Sequence, residues 1–105
     1  MTETGMLEQY IILLREYDRI LSISKMILEK LEKQDEDNHI IDLLEQKQII
    51  AENIVDLTRK IFVTEIKDRK DTNLQNLSKV KALLSQIAEK TEQIQKTEEK
   101  IQSLL

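Results

Sequence analysis

The residues specify an all-α fold: three long helices, an antiparallel helical hairpin plus a third C-terminal helix, packed as a bundle with coiled-coil-like seams. Three observations carry this. Leu7, Leu14, Leu21 and Leu28 stand seven residues apart, and Val80, Ile87, Ile94 and Ile101 repeat the interval near the other end. Seven residues are almost two helical turns, so each set lines one side of a helix. The 105 residues contain no proline and one glycine, Gly5, so the strongest breakers of regular structure are nearly absent. Leu, Ile, Glu, Lys and Gln dominate, and all but Ile are good helix formers.

The first helix is expected from Met6 to Lys33. With the four leucines at position a, position d holds Tyr10, Tyr17, Ser24 and Leu31, and position g holds Met6, Leu13, Ile20 and Ile27. This stripe is wider than a two-stranded seam and suits a helix that touches two neighbours. About 28 residues at a 1.5 Å rise make a rod of roughly 42 Å. The stretch Gln34-Asp35-Glu36-Asp37-Asn38 then breaks the pattern. Asp37 or Asn38 is placed to accept a hydrogen bond from the free N–H groups of the next turn, and negative charge suits the positive end of a helix dipole. So short a connection makes the two helices antiparallel.

The second helix is expected from His39 to Ile66 or Arg69. Ile40, Leu43, Ile50, Ile54, Leu57 and Ile61 keep the repeat, and Leu44, Ala51, Val55 and Phe62 widen it. Lys67-Asp68-Arg69-Lys70 supplies the basic cluster expected near a helix C-terminus. Asp71-Thr72-Asn73 marks a second break, with Asp71 or Thr72 as the cap of a third helix over residues 73–105. A helix continuous through residues 67–73 is the alternative. In the third helix Leu77, Val80, Leu84 and Ile87 make a clean face. Beyond it Thr91 and Glu98 take core-type positions between Ile94 and Ile101, so the last two turns are expected to be underpacked within one chain.

Composition narrows the function. A chain of 105 residues is expected to form one domain, residues 1–105, and to bury only about 60–65% of its unfolded surface. That leaves little volume for an enclosed substrate pocket. A net charge of -4 lacks the positive field that nucleic-acid binding requires. The absence of cysteine excludes disulfides, thiol catalysis and thiolate metal sites. No apolar run approaches the roughly 20 residues of a membrane span, and Met1-Thr2-Glu3-Thr4 lacks the basic start of a secretory signal. A cytoplasmic protein without membrane insertion is the expectation.

No reaction chemistry stands out. His39 is the only histidine, and it opens a helix, unlike the mid-helix histidine of a phosphotransfer bundle. Carboxylate-bridged metal bundles need several Glu-x-x-His pairs facing inward, and here only Glu36 precedes a histidine at that spacing, in an expected turn. A small helical mutase would need an inward cluster of cations. Arg15 lies outside the apolar stripe, and Lys47 on the apolar face of the second helix needs an acidic neighbour or a route to water. The chain is therefore expected to have no catalytic, metal or cofactor-binding residues and not to be an enzyme.

What remains is surface. Leu84, Ile87, Ile94, Ile101, Leu104 and Leu105 form one candidate partner-binding stripe, and Ile12, Ile23 and Met26 form a second apolar patch opposite the leucines. Patches of several apolar residues at helical spacing mark binding surfaces, either for a protein partner or for a second copy in a homodimer.

The arrangement resembles the FlgN/FliT-type flagellar export chaperones. Leu43-Leu44-Glu45-Gln46-Lys47-Gln48-Ile49-Ile50 is similar to the family's Leu, Glu, Lys, Leu stretch early in its second helix. Leu28-Glu29-Lys30-Leu31-Glu32 is similar to the end of its first. The resemblance covers roughly residues 7–65, with Lys47 in an apolar face as its most telling point. It implies a cytoplasmic chaperone that holds an amphipathic terminal helix of a hook–filament junction type secretion substrate by helix-in-groove packing, with the C-terminal helix in contact. The alternative is a structural homo-oligomeric coiled-coil protein with no dedicated export substrate.

Overall fold

The computed structural model describes residues 6–33, 39–67 and 74–105, with side chains for 7–33, 39–63 and 78–105. Its helices are α1 (Met6–Glu32), α2 (His39–Lys67) and α3 (Leu74–Leu104). Each begins and ends within two residues of the bounds expected from periodicity. The caps expected at Asp37, Asn38, Asp71 and Thr72, and Asp68-Arg69-Lys70 of the basic cluster, lie outside the described residues.

Two apolar clusters give the helix directions. At one end Tyr10 and Leu13 of α1 gather with Ile61 of α2 and Val80 and Ile87 of α3. At the other, Ile27 of α1 meets Leu43 of α2 and Ile101 of α3. So α2 runs antiparallel to α1, and α3 runs parallel to it as a separate helix. The Leu13, Ile20, Ile27 column of α1 and the Ile87, Ile94, Ile101 column of α3 then match rung by rung. The offset is 74 residues, the separation that the Ser24–Glu98 hydrogen bond also spans.

Helix α1 touches both neighbours, as its broad stripe required. Among the described residues, no Cα of α2 lies within 8 Å of a Cα of α3. The two outer helices therefore sit side by side on α1 without backbone contact between them. The leucine column is not the centre of the buried face. Leu21 is buried, but Leu7, Leu14 and Leu28 are half-buried, while Leu13, Ile20 and Ile27 at g and Tyr10 and Ser24 at d are all buried, Ile27 and Ser24 fully. The centre shifts toward g and d because the burial is greatest where both neighbours overhang α1.

The end of α3 corrects an expectation. Its last turns are packed as far as Ile101, which is 4% exposed. Thr97 shares that buried face because its hydroxyl donates to the Gln93 carbonyl at 2.8 Å, leaving its methyl group free to pack. Only Leu104 and Leu105 extend past the core. At the end of α1, the Lys33 N–H donates to the Glu29 carbonyl at 3.1 Å. The Lys33 ammonium donates to the Glu29 carboxylate at 2.8 Å. That hydrogen bond, and then the charge of Lys33, hold Glu29 below its ordinary pKa. A depressed carboxylate pKa favours the folded state above the unfolded pKa, and the effect is lost as pH falls through the folded value.

Ile27, 1% exposed between α2 and α3, is the tightest apolar point. Ile27→Ala is expected to cost about 2–5 kcal/mol, whereas Ile12→Ala at an exposed site should stay within about 0.5 kcal/mol. Urea denaturation of both variants checks this, and equal losses would contradict the packing described.

Candidate functional site: a polar node and an open groove

A polar layer crosses the bundle between its two apolar clusters. Ser24 of α1 is fully buried, and its hydroxyl donates to Glu98 Oε1 of α3 at 2.9 Å. The Lys47 ammonium of α2 pairs with the same oxygen. Each helix contributes one member. Lys47 falls between Leu43 and Ile50 on the face of α2 turned to α1, and Glu98 falls between Ile94 and Ile101 on α3. Periodicity therefore delivers both charges to the interior, where each needs the other. Lys47 and Glu98 keep 22% and 30% of their side chains exposed, so the pair sits at the floor of an opening and not in a sealed core. On the far side of the α1–α3 contact, Lys90 pairs with Asp18 at 2.9 Å.

The opening is a groove between α2 and α3, floored by α1. At the end away from the node it holds a recess of about 290 Å³, lined by Tyr10, Leu13 and Tyr17 of α1, Thr58, Ile61 and Phe62 of α2, and Leu84 and Ile87 of α3. Phe62 stands 62% exposed on its wall and Leu84 45%. Helical spacing carries the α2 wall on from Phe62 through Thr58, Val55 and Ala51 to Leu44, and the α3 wall from Leu84 through Ala88 and Thr91 to Gln95. The α2 wall is the set that widens the stripe in the sequence. Its spacing could have revealed a second face, but a wide stripe reads equally well as a broad core.

The structure divides the residues singled out for binding. Ile87 and Ile101 belong to the bundle's own core, and Ile94 is half-buried. They correct the expected stripe, because the same column that could meet a partner meets α1. Leu84 lies in the groove, and Leu104 and Leu105 are exposed beyond the core. The second patch is not continuous. Ile12 and Met26 are exposed, but Ile23 between them packs against the Ile27, Leu43 and Ile101 cluster. Ile23 also lines a second recess of about 330 Å³ with Asp18, Arg19, Ser22 and Gln46, a mainly polar set between α1 and α2.

The candidate chemistry stays apart. Arg15 is exposed, about two and a half turns along α1 from Ser24, so it does not join Lys47 in a cationic cluster. His39 is exposed at the start of α2, with Nδ1 4.0 Å from the Asp42 carboxylate. Among the described residues, no group of three His, Cys, Asp or Glu side chains could hold a metal ion, and no helix is long and apolar enough to cross a membrane. Compared with protein-family models, curated proteins and solved structures, the chain matches none.

Truncating one member of the node exposes its energetics. Glu98→Ala leaves Lys47 without its counter-charge and Ser24 without its acceptor, at an expected cost of about 1–3 kcal/mol. Replacing the pair together, Lys47→Met with Glu98→Leu, should recover most of the loss. Denaturant midpoints decide: a double variant no more stable than Glu98→Ala would mean that the node does not act as a pair.

Proposed function

We propose that the chain is a helix-binding adaptor of the export-chaperone kind, with the α2–α3 groove as its binding site. One observation carries the reading: two helices whose backbones stay more than 8 Å apart among the described residues leave a cleft on α1, with Phe62 standing exposed on its wall. An amphipathic helix laid there would cover Phe62, Val55 and Leu84 and complete a four-helix arrangement. The resemblance to FlgN/FliT-type proteins names the partner, an amphipathic terminal helix of a flagellar, hook–filament junction type secretion substrate held soluble in the cytoplasm before export. Such a role is binding without catalysis, which fits a site made of apolar walls and one internally paired charge.

The test is calorimetric titration of the purified chain with a helical terminal segment of such a substrate from the same organism. The expected result is a one-to-one complex. Burying a phenylalanine contributes about 1.5–3 kcal/mol, so Phe62→Glu should weaken binding by about tenfold or more, while Ile12→Glu outside the groove should leave it unchanged. No binding, or binding indifferent to Phe62→Glu, would overturn the reading. Removing residues 91–105 is a poorer test, because it also removes Glu98 from the node and Ile101 from the core.

A further inference from the structure

We propose that residues 89–104 of α3 form a strap that opens from α1 as a unit, held shut by two salt-sensitive ion pairs, while α1, α2 and the rest of α3 stay in place. The proposal concerns how the bundle opens, and it stands whether or not the groove takes a helix.

Apolar anchorage is sparse along this stretch. Ile94, Ile101 and Leu104 are its only apolar residues, and Leu104 is exposed beyond the core. Ile101 is buried and Ile94 half-buried. Thr97 adds a buried methyl group. At the same end of the bundle, α2 supplies Leu43 and Ile50, both buried, with Ile40, Ala51 and Ile54 half-buried around them. The strap has no such surround, and among the described residues its backbone comes near α1 but not α2. Ordering a residue costs backbone entropy whether or not its side chain is buried, so polar contacts must supply what the apolar ones do not.

Those contacts are concentrated here. Lys90 reaches Asp18 of α1 at 2.9 Å, and Glu98 takes the Ser24 hydroxyl of α1 at 2.9 Å while pairing with Lys47 of α2. The two latches lie about two turns apart on α3. Neither is sealed, since the four charged side chains keep between 22% and 53% of their surface exposed. Attraction between charges that partly face water is screened by salt. Opening returns all four charges to water, so it avoids the penalty of leaving one partner buried alone. The Glu92–Lys96 pair at 3.3 Å lies within α3 and does not fasten it to α1. Freed from α1, a helix this short is marginal in water, so opening also unwinds the strap and uncovers Ile27 and Leu43, which Ile101 packs against.

Amide hydrogen exchange of the intact chain, followed by mass spectrometry in about 0.05 M and about 1 M sodium chloride, tests this. In low salt, residues 89–104 should exchange faster than the α2 amides around Leu43 and Ile50. High salt should speed the strap by about threefold or more and leave those α2 amides unchanged. Asp18→Asn with Lys90→Gln removes one latch at partly exposed sites. It should speed strap exchange about threefold in low salt and shrink the salt response. Adding Lys47→Met with Glu98→Leu should restore protection and abolish the response, because apolar contact then replaces charge. Strap amides that exchange no faster than those of α2, or a native chain indifferent to salt, would overturn the proposal. So would a salt response undiminished in Asp18→Asn with Lys90→Gln, a variant that decides the matter even where the fourfold one does not fold.

Discussion

Glu98 Oε1 accepts a hydrogen bond from the Ser24 hydroxyl of α1 and lies against the Lys47 ammonium of α2, so a single oxygen ties together all three helices. The apolar columns cannot do this. Leu13, Ile20 and Ile27 look alike to Ile87, Ile94 and Ile101, and a slip of one heptad would still pair aliphatic with aliphatic. Such a slip would move Glu98 away from Lys47 and leave a cation facing an apolar floor, which is far more costly than a change of methyl contacts. A polar residue inside a helical seam sets register in this way, at some expense in stability. The parallel register of α3 on α1 follows from the node, and the antiparallel register of α2 follows with it.

The node also shapes the opening. Lysine and glutamate are long, and together they span a gap that the α2 and α3 backbones leave open. Two aliphatic residues at that level would draw the helices inward. The apolar clusters at the two ends, around Ile61 with Val80 and Ile87 and around Leu43 with Ile101, attach both outer helices to α1. Between these contacts the recess is lined by Thr58, Ile61 and Phe62 on one side and Leu84 and Ile87 on the other. A groove with this shape offers apolar area to a helix.

Much of this was legible in the residues. The helix boundaries followed from a sustained seven-residue beat without proline, and the three apolar columns of α1 required two neighbours. Lys47, Ser24 and Glu98 each stood out as polar groups at core spacing. Their meeting was not legible, because heptad counting gives the same answer for every rung and Ser24 and Glu98 are 74 residues apart. Ile87 and Ile101 were misread because a stripe shows that a face is buried without showing what buries it. The end of α3 looks thin in the sequence because Thr91 and Glu98 take core-type positions, whereas in the structure the Thr91 hydroxyl donates to the Ile87 carbonyl of its own helix and Glu98 is held by Ser24 and Lys47. The α2 wall was visible as extra width and became a separate surface only once α3 was seen to stand away from it.

Whether α2 and α3 do stand apart can be measured by thiol trapping, which suits a chain with no cysteine of its own. Phe62→Cys and Leu84→Cys place one thiol on each wall of the recess. Two cysteines whose Cα atoms lie more than about 7 Å apart cannot be bridged without backbone movement, and no Cα of α2 lies within 8 Å of α3 among the described residues. Direct oxidation should therefore leave the two thiols of one chain unjoined, while a bifunctional maleimide reagent long enough to span the groove should link them. A rapid intrachain disulfide with helicity retained would show the groove closed, and failure of the longer reagent would show that the two walls do not face each other at all.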